Sequence, residues 1–282
     1  MTLSVFNPEH DLCLAKGRWN YVPPKSAIDF ARQDAGIMQV LYPEAYCCSV
    51  YDLLARNPKP FSFDSVVAWG WDEVVKHELI KRGVQEVLLP TDEYINTIRE
   101  LQHRATILPL QPDCCAIYSI EDMEELLRDR QHWVMKAPWS GAGRGLRWVH
   151  GRLSDIDRGW LVKTVEKQRC VIAEPRRDVT ADLALEYSDG QFIGYSYFTT
   201  GSGVYKDNIM WTDEEIVKHF SHTQLQEVKS RVECWLTEQV WSRYQGPMGV
   251  DLMVCDDDSV HVSEINFRHT MGMIAHAKIN GL

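Results

Sequence analysis

The 282-residue chain predicts a mixed α/β (α+β) fold in two parts. Two observations carry this expectation. Residues 1–98 alternate short apolar, strand-like runs with helix-like stretches, the pattern of a small three-layer domain around a parallel sheet. Beyond Arg104 the alternation gives way to hairpins, a small-residue loop and one long helical region.

In the first part, residues 3–6, 65–69 and 86–89 read as short buried strands, and 73–82 and 92–103 as helices. Tyr21-Val22-Pro23-Pro24 and Asn57-Pro58-Lys59-Pro60 are loops. In the second part, residues 132–149 read as strand, glycine-containing loop, strand. Residues 182–199 form a hairpin turning at Asp189-Gly190. A helical region opens at Thr212, which forms a capping box with Glu215, and runs to about Arg243 with a break near His222. Gly246-Pro247 leads into a last hairpin.

That last hairpin carries the most chemistry. A two-residue turn centred on Asp257-Asp258 places Asp251 opposite Glu264, and Asn266 shares the face of Glu264. Carboxylates this close repel each other. Two acids and an amide oxygen on one face call for a cation, and hard oxygen ligands in small number suit Mg²⁺, with Mn²⁺ as the alternative. On this register Met253, Cys255, Val260 and Val262 lie on the same face as the acids. The run Asp256-Asp257-Asp258 is a solvated turn.

The loop Ser140-Gly141-Ala142-Gly143-Arg144-Gly145 follows a strand that ends at Lys136. Glycines let backbone N–H groups approach an anion, and Lys136 supplies a point charge for phosphate oxygens. No Gly-Lys-Ser/Thr follows, so this is no Walker loop, and a strand stands where a Rossmann fingerprint needs a helix. In this reading one motif would hold a triphosphate and the other the metal that neutralises it; the plainer alternatives are a flexible hairpin loop with an unrelated lysine and a polar hairpin end in water.

Together these residues resemble the ATP-grasp superfamily over roughly residues 99–273. The resemblance implies an ATP-grasp domain at 99–282, divided into a nucleotide lid (99–174) and a metal-binding part (175–282), behind a pre-ATP-grasp domain at 1–98. It implies that Lys136 contacts ATP phosphates and that Ser140 to Gly145 form a flap over them. Glu174 stands at the hinge that binds adenine, and Asp182 near the ribose. Asp251, Glu264 and Asn266 hold Mg²⁺, and Arg268 meets the transferred phosphate. Where many members have a further phosphate-binding lysine, Arg104 is the substitute, with Arg99 behind it; an exposed helical arginine is the equal alternative.

The first loop, Asn7-Pro8-Glu9-His10-Asp11, follows the first strand at the sheet's carboxyl edge, where open α/β sheets bind ligands. Asn7, His10 and Asp11 are therefore substrate candidates, although Asn7 and Asp11 also suit turn and cap roles. Lys206 and Asn208 are candidates to close over the site, with a solvated loop as the plainer reading. Trp69-Gly70-Trp71 reads as packing.

A net charge of −10 argues against a broad nucleic-acid surface, while Arg144, Arg147, Arg176 and Arg177 are available to a basic pocket. The apolar content of 45% and charge of 25% are those of a globular protein, without a membrane-spanning run or a signal-peptide start. The expected location is cytoplasmic, and the eight cysteines are expected to be reduced. The resemblance implies an ATP-dependent ligase taking a small carboxylate and an amine-type acceptor, a homodimer being compatible with this. A small-molecule kinase and a non-catalytic nucleotide-binding regulator are the alternatives.

Overall fold

The computed structural model describes residues 1–52, 63–129, 132–140, 145–201, 204–209 and 211–280; at 129, 199–201, 204–209 and 280 it describes the backbone alone. Three sheets organise the described residues. The first is parallel, in the order β2-β1-β3, from β1 (Thr2–Phe6), β2 (Tyr46–Ser49) and β3 (Ser65–Ala68). Its core joins Leu3, Val5 and Cys48 to Val75 and Leu79. The last two come from helix α3 (Glu73–Lys81), whose first N–H groups are capped by Asp72. Helices α1 (His10–Lys16) and α2 (Lys25–Gln33) connect β1 to β2, and α4 (Asp92–Leu101) follows α3.

The third strand is therefore 46–49 and not 86–89. Glu86–Leu88 is a 3₁₀ turn with Val87 84% exposed, a side chain no parallel strand would leave in water. The Asn57 to Pro60 loop lies outside the described residues.

The second sheet is antiparallel, in the order β4-β7-β5-β6: β4 (Cys115–Ile117), β5 (His132–Lys136), β6 (Leu146–His150) and β7 (Val171–Pro175). Side chains alternate in period two. Trp133, Met135, Val149, Val171 and Ala173 face a core with α5 (Ile120–Leu126) and α6 (Asp155–Gln168). Val134, Lys136, Leu146, Trp148 and Glu174 face a cleft. Capping boxes, Ser119 with Asp122 and Ser154 with Asp157, start both helices.

The third sheet, β10-β9-β8-β11-β12, is antiparallel: β8 (Val179–Ser188), β9 (Gln191–Gly201), β10 (Val204–Ile209), β11 (Pro247–Cys255) and β12 (Val260–Asn266). The predicted turn at Asp189-Gly190 has positive φ at both residues, 50° and 81°, as a primed two-residue hairpin turn needs. Leu183, Leu185, Tyr187, Val250, Leu252 and Val254 pack against Leu225, Val228, Val232 and Leu236. Their 3-4-4 spacing forms the apolar stripe of α8 (Leu225–Gln239). The long helical region is two helices, α7 (Asp213–His219) and α8, and the Thr212–Glu215 capping box starts the first. Helix α9 (Met271–Asn280) closes the described chain, its Ile274 joining Phe6, Met38 and Trp69.

The last hairpin pairs Asp251 with Glu264, by a route the sequence hid. The turn has three residues, Asp256 to Asp258, with Cys255 N donating to Ser259 O and Asp258 at φ 64°. Leu252 then faces Val262, and a bulge at Ser263 restores the Asp251–Glu264 pairing. One extra residue flips faces, so Val260 and Val262 belong to the core and not to the acidic face.

All eight thiols are free. Among the described residues, no helix is long and apolar enough to cross a membrane.

Candidate active site

The polar faces of the second and third sheets bound one cleft of about 1280 Å³, with Pro8, Glu9 and Asp11 of the first loop at its edge. Lys136 and Glu174 stand on adjacent strands in this wall. Lys136 Nζ donates to Glu174 Oε2 at 2.7 Å and to Ser263 Oγ at 3.5 Å.

Arg104 is buried, not surface-exposed. Its guanidinium donates to Ala137 O and Ser140 Oγ, both at 2.6 Å, and pairs with Glu264. It thus links the start of the glycine loop to the candidate metal strand. The loop ends meet where Ala137 N donates to Gly145 O, and Gly145 sits at φ 77°, where a Cβ would come within 2.9 Å of Ser140 Cβ. Gly141, Ala142, Gly143 and Arg144 lie outside the described residues. Arg99 is structural: its Nε donates to Leu14 O and its guanidinium stacks over Trp139.

Asp251, Glu264 and Asn266 line the cleft together. Asn266 Nδ2 donates to Asp251 Oδ2 at 3.0 Å, and Asn266 Oδ1 accepts from Arg268 at 2.9 Å. Burial, then the charge of Glu264, pushes the Asp251 carboxyl up to about 8. A buried acid raised by a neighbouring carboxylate marks a site that gains from a cation, and two carboxylates with an amide oxygen are a donor set that fits Mg²⁺. Among the described residues no three His, Cys, Asp or Glu side chains form a metal cluster.

Arg268 spans the site. It donates to Asp11 Oδ2 at 3.0 Å as well as to Asn266. Burial works to raise the Asp11 pKa, but the Arg268 guanidinium overrides it and holds the carboxyl below the usual range. Asn7 and His10 are absent from the cleft lining. Both are fully buried against Asp72, and Asn7 also bonds Gly70, so they fix the loop. Asp182 lines the cleft. Lys206 and Asn208 lie on β10, where only the backbone is described.

The sequence carries no signal for Gln102, a missed one for Glu186, and marks Glu9 only as one of four polar groups in its loop. Gln102 accepts from Phe267 N at 2.8 Å and faces Asp11 and Asn266 through its amide. Glu9 lines the cleft beside the candidates chosen from its own loop. Glu186 shares the face of Asp182 on β8, and this alternation was the available signal.

Glu186 accepts from Ser196 and Thr270 hydroxyls, each at 2.8 Å. A Cβ on Gly272 would overlap Glu186 Oε1, so only glycine fits there.

The comparisons come from solved structures. D-cycloserine synthetase aligns with 99% of this chain and 98% of its own, at a TM-score of 0.59 and 11% identity. The fold is that of the ATP-grasp enzymes. D-alanine–D-alanine ligase from Bacillus anthracis aligns with 100% of this chain and 92% of its own, at 0.55 and 14% identity. N5-carboxyaminoimidazole synthetase from Staphylococcus aureus, solved with ADP, aligns with 95% and 70%, at 0.53 and 14%. At such identities the likeness is one of fold. No protein-family model matches the sequence, and comparison with curated proteins found no match.

Within this ATP-grasp fold, Glu186 gives a stability test. Burial pushes its carboxyl from 4.5 up to about 7, against the lowering by Thr270 and Ser196. The unfolded chain therefore releases this proton at lower pH than the folded one. Stability falls as pH rises between about 4.5 and 7, by on the order of 3 kcal/mol from this group. Glu186→Gln is expected to flatten that part of the curve. Urea unfolding at about pH 5 and about pH 8 checks it; an unchanged pH dependence would refute the assignment.

Proposed function

We propose that the protein is an ATP- and Mg²⁺-dependent ligase joining a carboxylate to an amine through an acyl phosphate. The observation that carries this reading is that Lys136 on one sheet and the Asp251, Glu264, Asn266 and Arg268 group on another line the same cleft. In the reaction, a substrate carboxylate oxygen attacks the γ-phosphorus and ADP leaves. The amine nitrogen then attacks the acyl carbon, phosphate departs with the C–O electron pair, and the nitrogen loses a proton.

The chain's part is positioning and charge stabilisation, and no side-chain nucleophile is required. Lys136 has three N–H donors, and Glu174 takes one at close range, leaving donors for phosphate oxygens. Arg104 and Ser140 support the base of the glycine loop, and Gly141 to Arg144 complete the phosphate cradle in this reading. Glu174 and Asp182 serve the adenosine end. Asp251, Glu264 and Asn266 would hold the Mg²⁺, which when bound neutralises phosphate charge. Arg268, fixed by Asp11, faces the transferred phosphoryl group.

The test is release of ADP and phosphate from Mg²⁺-ATP across a panel of amino acids and amines. Free phosphate with a new amide bond supports the ligase, and a phosphorylated product identifies a kinase. An absence of nucleotide binding would sink both. Lys136→Met is expected to weaken ADP binding at least about tenfold by calorimetry, the loss of one or two charged hydrogen bonds.

A further inference from the structure

The first-loop end of the cleft has a character of its own. Glu9 is 3% exposed and lines it. One carboxylate oxygen, Oε1, accepts from Tyr51 OH at 2.7 Å. The other, Oε2, has no hydrogen-bond partner. A buried acceptor left unpaired is costly, and native proteins retain few of them. No ion pair to Glu9 exists among the described residues, whereas neighbouring Asp11 is bound to Arg268.

Apolar side chains line the same cleft as this carboxylate. Phe30 lines the cleft and is 47% exposed, unusual for a phenylalanine inside a concave site. Behind it, Phe6 meets Phe30 and Trp69 edge-to-face, with ring centroids 5.9 and 5.1 Å apart. Leu12 and Met271 lie in the same wall.

We propose that this end of the cleft binds an apolar primary amine, its ammonium group donating to Glu9 Oε2 and its hydrocarbon body lying on Phe30. Resting on the ligase reading, this names the amine-type substrate as an aromatic or bulky aliphatic one, and makes Glu9 and Phe30 its specificity determinants. Ammonium supplies the partner Oε2 lacks, and the rings supply apolar contact and cation–π attraction. A hydrophilic amine would gain the first interaction and leave Phe30 in water.

The test uses the full chain and three probes: 2-phenylethylamine, 2-phenylethanol and ethylamine, titrated by calorimetry at about pH 8. Mg²⁺-ADP is titrated into the same samples. The wild type is expected to bind phenylethylamine at least about tenfold more tightly than either other probe. Glu9→Gln, whose carbonyl still accepts from Tyr51 but whose amide turns donors toward the ammonium, should weaken phenylethylamine at least about tenfold and leave phenylethanol unchanged. Phe30→Ala, at a half-exposed position that tolerates truncation, should weaken both phenyl probes. Equal binding of phenylethylamine by wild type and Glu9→Gln overturns the proposal, as does ethylamine binding as tightly as phenylethylamine. Failure to bind any amine while Mg²⁺-ADP binds overturns this inference alone. Failure to bind Mg²⁺-ADP as well removes the ligase reading beneath it.

Discussion

Glu264→Gln is expected to reduce Mg²⁺-ATP-dependent turnover by about 10³-fold or more while leaving the fold intact. In the proposed reaction the cation contributes several kcal/mol of charge stabilisation, and each 1.4 kcal/mol is a factor of about ten. A neutral amide in place of one of two carboxylates removes most of the attraction that would hold it. The fold should survive because glutamine keeps the shape and its oxygen can still accept from Arg104. Arg104 also retains its bonds to Ala137 O and Ser140 Oγ. A second readout separates this from general damage. Glu264 helps to push Asp251 up to about 8, so removing its charge relieves a buried repulsion. Mg²⁺ should raise the melting temperature of the variant less than that of the wild type at about pH 8. Full Mg²⁺-dependent activity in Glu264→Gln would show that the metal assignment is wrong.

Much of this site was legible because β-strands advertise their faces. Lys136 and Glu174 share a wall for the same period-two reason that Met135 and Ala173 share the core. What a single sequence conceals is how strands find partners. The Asp251–Glu264 pairing was right, but an assumed two-residue turn replaced a three-residue turn and a bulge whose offsets cancel. The cancellation did not extend to Val260 and Val262, which the bulge sends to the other face. Strand Tyr46–Ser49 was missed because Cys47 and Cys48 carry no β-branched signal, while Val87-Leu88-Leu89 carried one and formed a turn. In the first loop, polarity identified the segment but not the direction of each side chain. Asn7 and His10 are drawn to Asp72, a residue more than 60 positions away, and Glu9 and Asp11 are left at the cleft. No local pattern encodes that choice.

Arg268→Ala should cost the most stability of any single change at the site. Asp11 is buried, and the Arg268 side chain is only 17% exposed. Removing one partner of such a pair leaves an uncompensated charge, typically at a cost of about 3–5 kcal/mol. The pH dependence gives the sign. In the wild type Arg268 holds the Asp11 pKa down, so the pair's contribution is present above the usual carboxylate range and is lost as pH falls through the folded pKa. In Arg268→Ala the chief lowering influence is gone and only His10 and Arg104 oppose burial, so the Asp11 pKa rises and protonation relieves part of the penalty. The gap between wild type and variant should be widest near neutral pH and narrow toward about pH 4, as measured by urea unfolding. Asp11→Asn combined with Arg268→Met should recover most of the loss at neutral pH, since neither buried charge remains. A single variant within about 1 kcal/mol of wild type, or a gap independent of pH, would show that the pair is incidental. The double variant also separates the two roles assigned to this arginine. If it folds but turns over no ATP, stability was not the reason for the loss, and the Asp11–Arg268 pair acts in the reaction itself.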